Sequence, residues 1–175
     1  TTITNATSIL NTGALTLGDA VGDTLNFTGG LTATSASVVN LAGSFNASNS
    51  AMTIGHATTP VQLTTNVTIG TGSGHVTFGG LLDGNHDLAV NSSGITAFNA
   101  LVGSVAPLAR ITTDSLGSVQ INAATVTANG AQTYNDAVHL MSNTTLASKA
   151  SGDNSYNSTE EGTKNLTENT SGNNN

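Results

Sequence analysis

TLNFTGGL at residues 24–31 and HVTFGGLL at residues 75–82 place an apolar residue, a polar residue, a phenylalanine and a glycine turn in one order. ALTLGDA at 14–20 and AMTIGHA at 51–57 match almost letter for letter, and NVTIGTG at 66–72 is a weaker third copy. In each copy the apolar residues stand two apart, which is the period of a strand with one buried face. A unit this short cannot bury its own face, so copies become stable by stacking on one another.

The same period runs outward from these copies. Apolar pairs recur at Leu15/Leu17, Leu25/Phe27, Val39/Leu41, Met52/Ile54, Val67/Ile69, Val76/Phe78, Leu88/Val90, Val119/Ile121 and Val138/Leu140. Between them lie NTG, GDAVGD, TGG, GTGSG, DGN, NSSG and ANG, which supply the positive φ angles of tight turns. No stretch before Ser148 carries the 3.6-residue apolar stripe of a helix. The reading is therefore all-β: a single-stranded parallel β-helix, or β-solenoid, of short irregular repeats.

An antiparallel β-sandwich is the competing architecture, since it too has regularly spaced strands. Its core, about 10 Å thick, is filled with large side chains, and here only Phe27, Phe45, Phe78 and Phe98 precede Tyr134. The solenoid reading predicts about six or seven rungs of roughly 20 to 25 residues over 1–147, a rod near 30 Å long at about 4.8 Å per rung. Leu17, Phe27, Leu41, Ile54, Ile69, Phe78, Val90, Phe98 and Ile121 are expected to point inward. From Ser148 the texture changes to SKASGDNSYNSTEEGTKNLTENTSGNNN at 148–175, holding all three glutamates, both lysines and few apolar side chains. This polar segment is expected to stay outside the packed core, disordered or capping the last rung.

At 175 residues the chain suits one architecture rather than two domains. Charged residues make up 7% of it, against about 25% in an average domain, and aromatics 3%. Three basic against ten acidic residues leave a net charge of -7, which offers neither nucleic acid nor an anionic membrane surface a foothold. With no cysteine there is no disulfide framework and no thiolate metal site. No apolar run reaches the 18 or so residues of a membrane span, and TTITNATSIL lacks the layout of a signal peptide, so an export signal is expected to have been removed or to lie elsewhere.

Candidate chemistry is sparse. His56, His75, His86 and His139 show no HExxH or HxH spacing. Asp83, Asn85 and Asp87 in DGNHD open like a calcium loop, but Leu88 stands where an EF-hand has glycine and Gly94 where it has a bidentate glutamate. A turn whose Asp side chains cap local amides is the plainer reading. Asp19/Asp23, Asp83/Asp87 and Asp114/Asp136 are the carboxylate pairs that glycan-cleaving β-helices would need, yet Arg110 is the only cation before Ser148. Thr2/Thr4, Thr32/Thr34 and Thr125/Thr127 invite an ice-binding reading, but their intervals of 30 and 93 residues share no rung length. Nine N-x-S/T sequons, among them Asn5, Asn26, Asn66, Asn143, Asn157 and Asn165, follow from so Asn-, Ser- and Thr-rich a composition. No catalytic, cofactor-binding or metal-ligating residue is assigned, and no cofactor is expected.

The run LTLGDAVGDTLNFTGGLTAT, then VTFGGLLDGNHDLAVNSSGITAFNALVG, LARITTDSLGSVQINAATVTANG and AQTYNDAVHLMSNTTL, resembles the β-strand-repeat regions of filamentous-haemagglutinin-like giant bacterial surface adhesins. The resemblance covers roughly Ser8 to Leu146, and DGNHDLAVN and AQTYNDAV are its most specific pieces. It implies an exported β-helical stalk at the bacterial cell surface, non-enzymatic, acting in adhesion, aggregation or biofilm. Expected partners are other surface repeats, copies of itself, or host or matrix glycans, without direct membrane insertion. A carbohydrate-binding or carbohydrate-processing β-helix is the alternative. The chain departs from the pattern after Ala147.

Overall fold

A computed structural model describes residues 1–150, 152–158 and 160–173. Every regular element among them is a strand, and every strand pairing is parallel. The chain winds through eight three-sided coils. The first carries β1 (Thr2–Ile3), β2 (Thr7–Ile9) and β3 (Ala14–Leu17); the second β4 (Thr24–Phe27), β5 (Leu31–Ala33) and the first half of β6 (Val38–Asn46). The second half of β6 starts the third coil, which continues through β7 (Met52–Ile54) into β8 (Val61–Gly72). The end of β8, β9 (Val76–Phe78) and β10 (Leu82–Asp83) make the fourth, and β11 (Asp87–Ser92), β12 (Ile95–Phe98) and a bridge at Val102 the fifth. Then follow β13 (Arg110–Thr113), β14 (Ser118–Ile121) and β15 (Thr125–Ala128), and β16 (Gln132–Tyr134), β17 (Ala137–Leu140) and β18 (Thr144–Ser148). The last coil holds β19 (Asn154–Tyr156), β20 (Glu160–Glu161) and β21 (Leu166–Thr170).

Stacking coil on coil produces two eight-stranded ladders, β1-β4-β6-β8-β11-β13-β16-β19 and β2-β5-β7-β9-β12-β14-β17-β20. The third side runs from β3 through β6, β8, β10 and Val102 to β15, β18 and β21. This is a parallel β-solenoid, not the antiparallel sandwich. Its register advances by 19 residues from Ser118 to Ala137 and by 24 from Phe45 to Ile69, the extremes of the series. At about 4.8 Å per step, eight coils span roughly 34 Å.

All nine residues expected inside are buried, from Leu17 at 8% exposed to Phe98 and Ile121 at 0%. Like stacks on like: Ile54, Phe78, Phe98 and Ile121 form one column, in which the rings of Phe78 and Phe98 lie 5.5 Å apart and 5° from parallel. Gly43 marks where β6 turns from one side to the next, at φ 82°. A Cβ there would stand 2.5 Å from the Asp23 carbonyl oxygen, so the corner tolerates no side chain.

The stretch from Ser148 does not stay outside. β19 pairs with β16, β20 with β17 and β21 with β18, adding an eighth coil. Polar contacts supplement the partial burial of Tyr156 and Leu166 there. Asn154 is fully buried beneath Ser148, whose hydroxyl donates to Asn154 Oδ1 at 2.6 Å, and Gln132 Nε2 donates to the Ala147 carbonyl at 3.0 Å. Tyr134 donates to Gln132 Oε1 at 2.8 Å, while its ring stacks on Tyr156 at 5.9 Å. Burial of Tyr134 pushes its phenol well above the usual tyrosine range.

Candidate functional site

Three turns per coil leave backbone amides that no strand neighbour meets, and buried amides need acceptors. The solenoid supplies them from an adjacent coil. Asp83 Oδ1 accepts from the amides of Val105 and Ala106, both at 3.1 Å; Asn66 Oδ1 from Asp87 at 3.0 Å; Asn49 Oδ1 from Ser73 at 3.0 Å; Asn143 Oδ1 from Asn165 at 3.1 Å. Each bond spans 21 to 24 residues, one circuit of the chain.

This use of side chains disperses the residues that sequence reading groups as a calcium loop. Asp83 is buried and occupied by two amides, exposed Asn85 accepts from Asn129 Nδ2 at 2.9 Å, and half-buried Asp87 stands in register with Arg110. No group of three metal-ligating His, Cys, Asp or Glu side chains occurs among the described residues.

The acid pairs resolve the same way. Asp23 Oδ2 accepts from the amides of Asp19 at 2.8 Å and Ala20 at 3.1 Å, and these bonds hold its carboxyl below the usual range. Asp114 Oδ1 accepts from Ser92 at 2.9 Å and Asp136 Oδ1 from Gly117 at 2.7 Å. Burial raises the Asp136 carboxyl and the nearby charge of Asp114 adds to that, against the Gly117 bond and weaker ones from the Thr113 hydroxyl and the Leu116 amide. Asp136 Oδ2 and Thr113 Oγ1 are both buried, and neither makes a well-formed hydrogen bond. At 2% exposed, Asp136 cannot reach a substrate as a general acid must.

The histidines are scattered. His75 is exposed and its Nδ1 accepts from the Ile95 amide at 2.8 Å, so this geometry needs a neutral ring protonated at Nε2. His56 is exposed at a corner, His86 is half-buried, and His139 points outward from β17 in register with Gln120.

The extended feature is the outer surface. On the first ladder Thr24, Ser44, Thr68, Ala89, Thr112, Thr133 and Ser155 stand in one outward column through seven coils. Beside it run Thr2, Asn26, Asn46, Gly70 and Asn91, where Asn46 Nδ2 donates to Asn26 Oδ1 at 3.0 Å and Asn26 Nδ2 to Thr2 Oγ1 at 3.2 Å. Sequence reading missed these columns because unequal coils give them no fixed period. Lining up the apolar pairs instead of the threonines would have found them. Thr2, Thr32 and Thr125 fall on three different sides, so the Thr-x-Thr pairs form no common array. Eight of the nine sequon asparagines are exposed and Asn26 is half-buried.

At the edge of the first ladder lies a shallow groove of about 480 Å³, floored by Gly130, Ala131 and Gly152 and walled by Arg110, Thr112, Thr133 and Asp153. Among the described residues no helix is long and apolar enough to cross a membrane. Comparison with protein-family models, curated proteins and solved structures finds no match to the chain.

Proposed function

We propose that the chain is a non-enzymatic structural or adhesive segment of an exported bacterial surface protein, serving as stalk or as adhesion and aggregation module. One observation carries this reading: at least one acid of each candidate pair is spent capping a corner amide, whereas the outside presents a hydroxyl column through seven coils, interrupted only by Ala89. Coils paired on both sides make a stiff spacer. Stacked Thr, Ser and Asn groups offer donors and acceptors at about 4.8 Å intervals to extended partners such as glycans, other repeats or copies of the same chain.

Display of the chain on a non-aggregating bacterium tests it: cells should clump or retain matrix glycans. Lysines at exposed Thr68 and Thr112 should abolish that without unfolding the rod. Clumping that ignores the lysines would place the contact elsewhere, and no clumping would leave the stalk role alone.

The Arg110 groove favours a second reading, a carbohydrate-binding β-helix that takes an acidic sugar. Glycan-array binding lost in Arg110→Ala would support it.

A further inference from the structure

Arg110 is the one cation before Ser148, and it stands on the flank of the rod. Among the described residues it makes no ion pair, although Asp87 lies in register beside it. Ile111, Gln132 and Asn154 face inward in register, so the residues just before them, Arg110, Ala131 and Asp153, face outward in one column of the sixth, seventh and eighth coils. That column runs from positive through neutral to negative.

Its middle is hollow. A Cβ at Gly130 would stand 3.2 Å from Arg110 Cγ, and one at Gly152 would stand 2.3 Å from the Gly130 carbonyl, so neither corner has room for a side chain. These glycines and Ala131 floor the groove of about 480 Å³ between the two charges. Coils bound it on both sides, so it belongs to the side of the rod and to neither end.

An acidic sugar would answer Arg110 and face a like charge at Asp153. An occupant that answers both carries the reverse pattern at the same spacing, two coils or about 9.6 Å. We propose that the groove seats the same groove of a second copy, the two rods lying side by side and antiparallel about a two-fold axis that runs along the strands in front of Ala131. The axis sets Arg110 against the second copy's Asp153 and Asp153 against its Arg110, a closed and self-complementary contact. Thr112 then meets Ser155 and Thr133 meets its own counterpart, hydroxyl to hydroxyl. Sliding the rods by one coil parts both ion pairs, so the charges fix the register. Three coils of one side fall well short of the roughly 1,200 Å² of a stable interface, so the contact is weak singly and adds up where many rods stand together. It rests on the aggregation reading above and names the contact.

The test traps the contact chemically in the cysteine-free chain. Thr133→Cys, which the axis sets against its own counterpart, should be joined into a dimer by a short bismaleimide. Thr32→Cys, exposed on β5 of the second ladder, should not. In the Thr133→Cys chain, Arg110→Asp and Asp153→Arg should each cut the dimer yield at least about tenfold. Mixing the two should restore it, because each supplies the charge that the other lacks, and the restored yield shows that both fold. Asp153→Asn, which keeps an acceptor for the Asn173 amide, should also lower the yield. No dimer from Thr133→Cys, a yield indifferent to Arg110 or Asp153, or a mixture no better than its parts would overturn the inference. A uronic acid oligomer that binds through Arg110 while no cross-link forms would give the groove to a sugar instead. Displayed cells that clump while Thr133→Cys stays monomeric would remove this contact and leave the aggregation reading standing.

Discussion

Replacing Asp136 by asparagine should stabilise the rod at neutral pH. The carboxyl is 2% exposed; Oδ1 holds the Gly117 amide at 2.7 Å, and Oδ2 is buried with only weak donors, the Thr113 hydroxyl and the Leu116 amide, near the carboxyl. Ionising this group costs more in the folded chain than in the unfolded one, because burial and the nearby Asp114 charge outweigh the donors around it. Asparagine keeps the acceptor for Gly117, carries no charge to bury, and puts an amide donor beside the Thr113 hydroxyl oxygen, which can accept from it. The sign with pH follows from the raised folded-state pKa. The folded chain holds its proton to higher pH than the unfolded one, so Asp136 favours folding in acid. That contribution is lost as pH rises from the unfolded to the folded value and stays lost above it.

Urea melts of both proteins, followed by circular dichroism, should therefore differ by about 1 kcal/mol in favour of Asp136→Asn at pH 7 and converge near pH 3. Asp136→Ala, which strands the Gly117 amide, should be destabilised by about 1–3 kcal/mol at both pH values. An asparagine variant as unstable at pH 7 as the alanine variant would refute the reasoning, because the negative charge would then have a favourable partner.

Asp83→Ala removes the acceptor of two amides and should lower stability by about 1–3 kcal/mol, while millimolar calcium leaves the wild-type melting temperature unchanged. A rise of several degrees with calcium, absent from Asp83→Ala/Asp87→Ala, would reveal a cation site. Phe98→Ala opens a cavity beneath a stacked ring in mid-rod and should lower the urea-derived unfolding free energy by about 3–5 kcal/mol; a loss under 1 kcal/mol would mean the column collapses without strain.

Period-two pairing made the fold readable, since each apolar pair from Leu15/Leu17 to Val138/Leu140 lies on a strand. The eighth coil was hidden because it is held by hydrogen bonds among Gln132, Ser148 and Asn154 and by one tyrosine stack, none of which leaves an apolar pattern. The fate of the acids was half legible. DGNHD was readable as a capping turn, but the amides that Asp83 caps lie 22 and 23 residues away, beyond any local motif. Asp114 and Asp136 look like a pair in sequence, yet each serves a different amide.

The low charge of the chain follows from the same geometry. Parallel stacking puts each outward side chain about 4.8 Å from its counterparts above and below. Like charges so placed repel by on the order of 1 kcal/mol per pair even in water, and eight coils would multiply that along every column. Hydroxyls and carboxamides both donate and accept, so identical residues can stack to advantage, as Asn46 on Asn26 does. Before Ser148 the charged residues number seven, and Asp23, Asp83, Asp114 and Asp136 cap corner amides while Asp19 lies at the first corner. Only Asp87 and Arg110 then occupy adjacent ladder positions, and they are opposite in sign and in register. A composition unlike that of most enzymes is thus what a parallel stack of coils selects, whatever its surface binds.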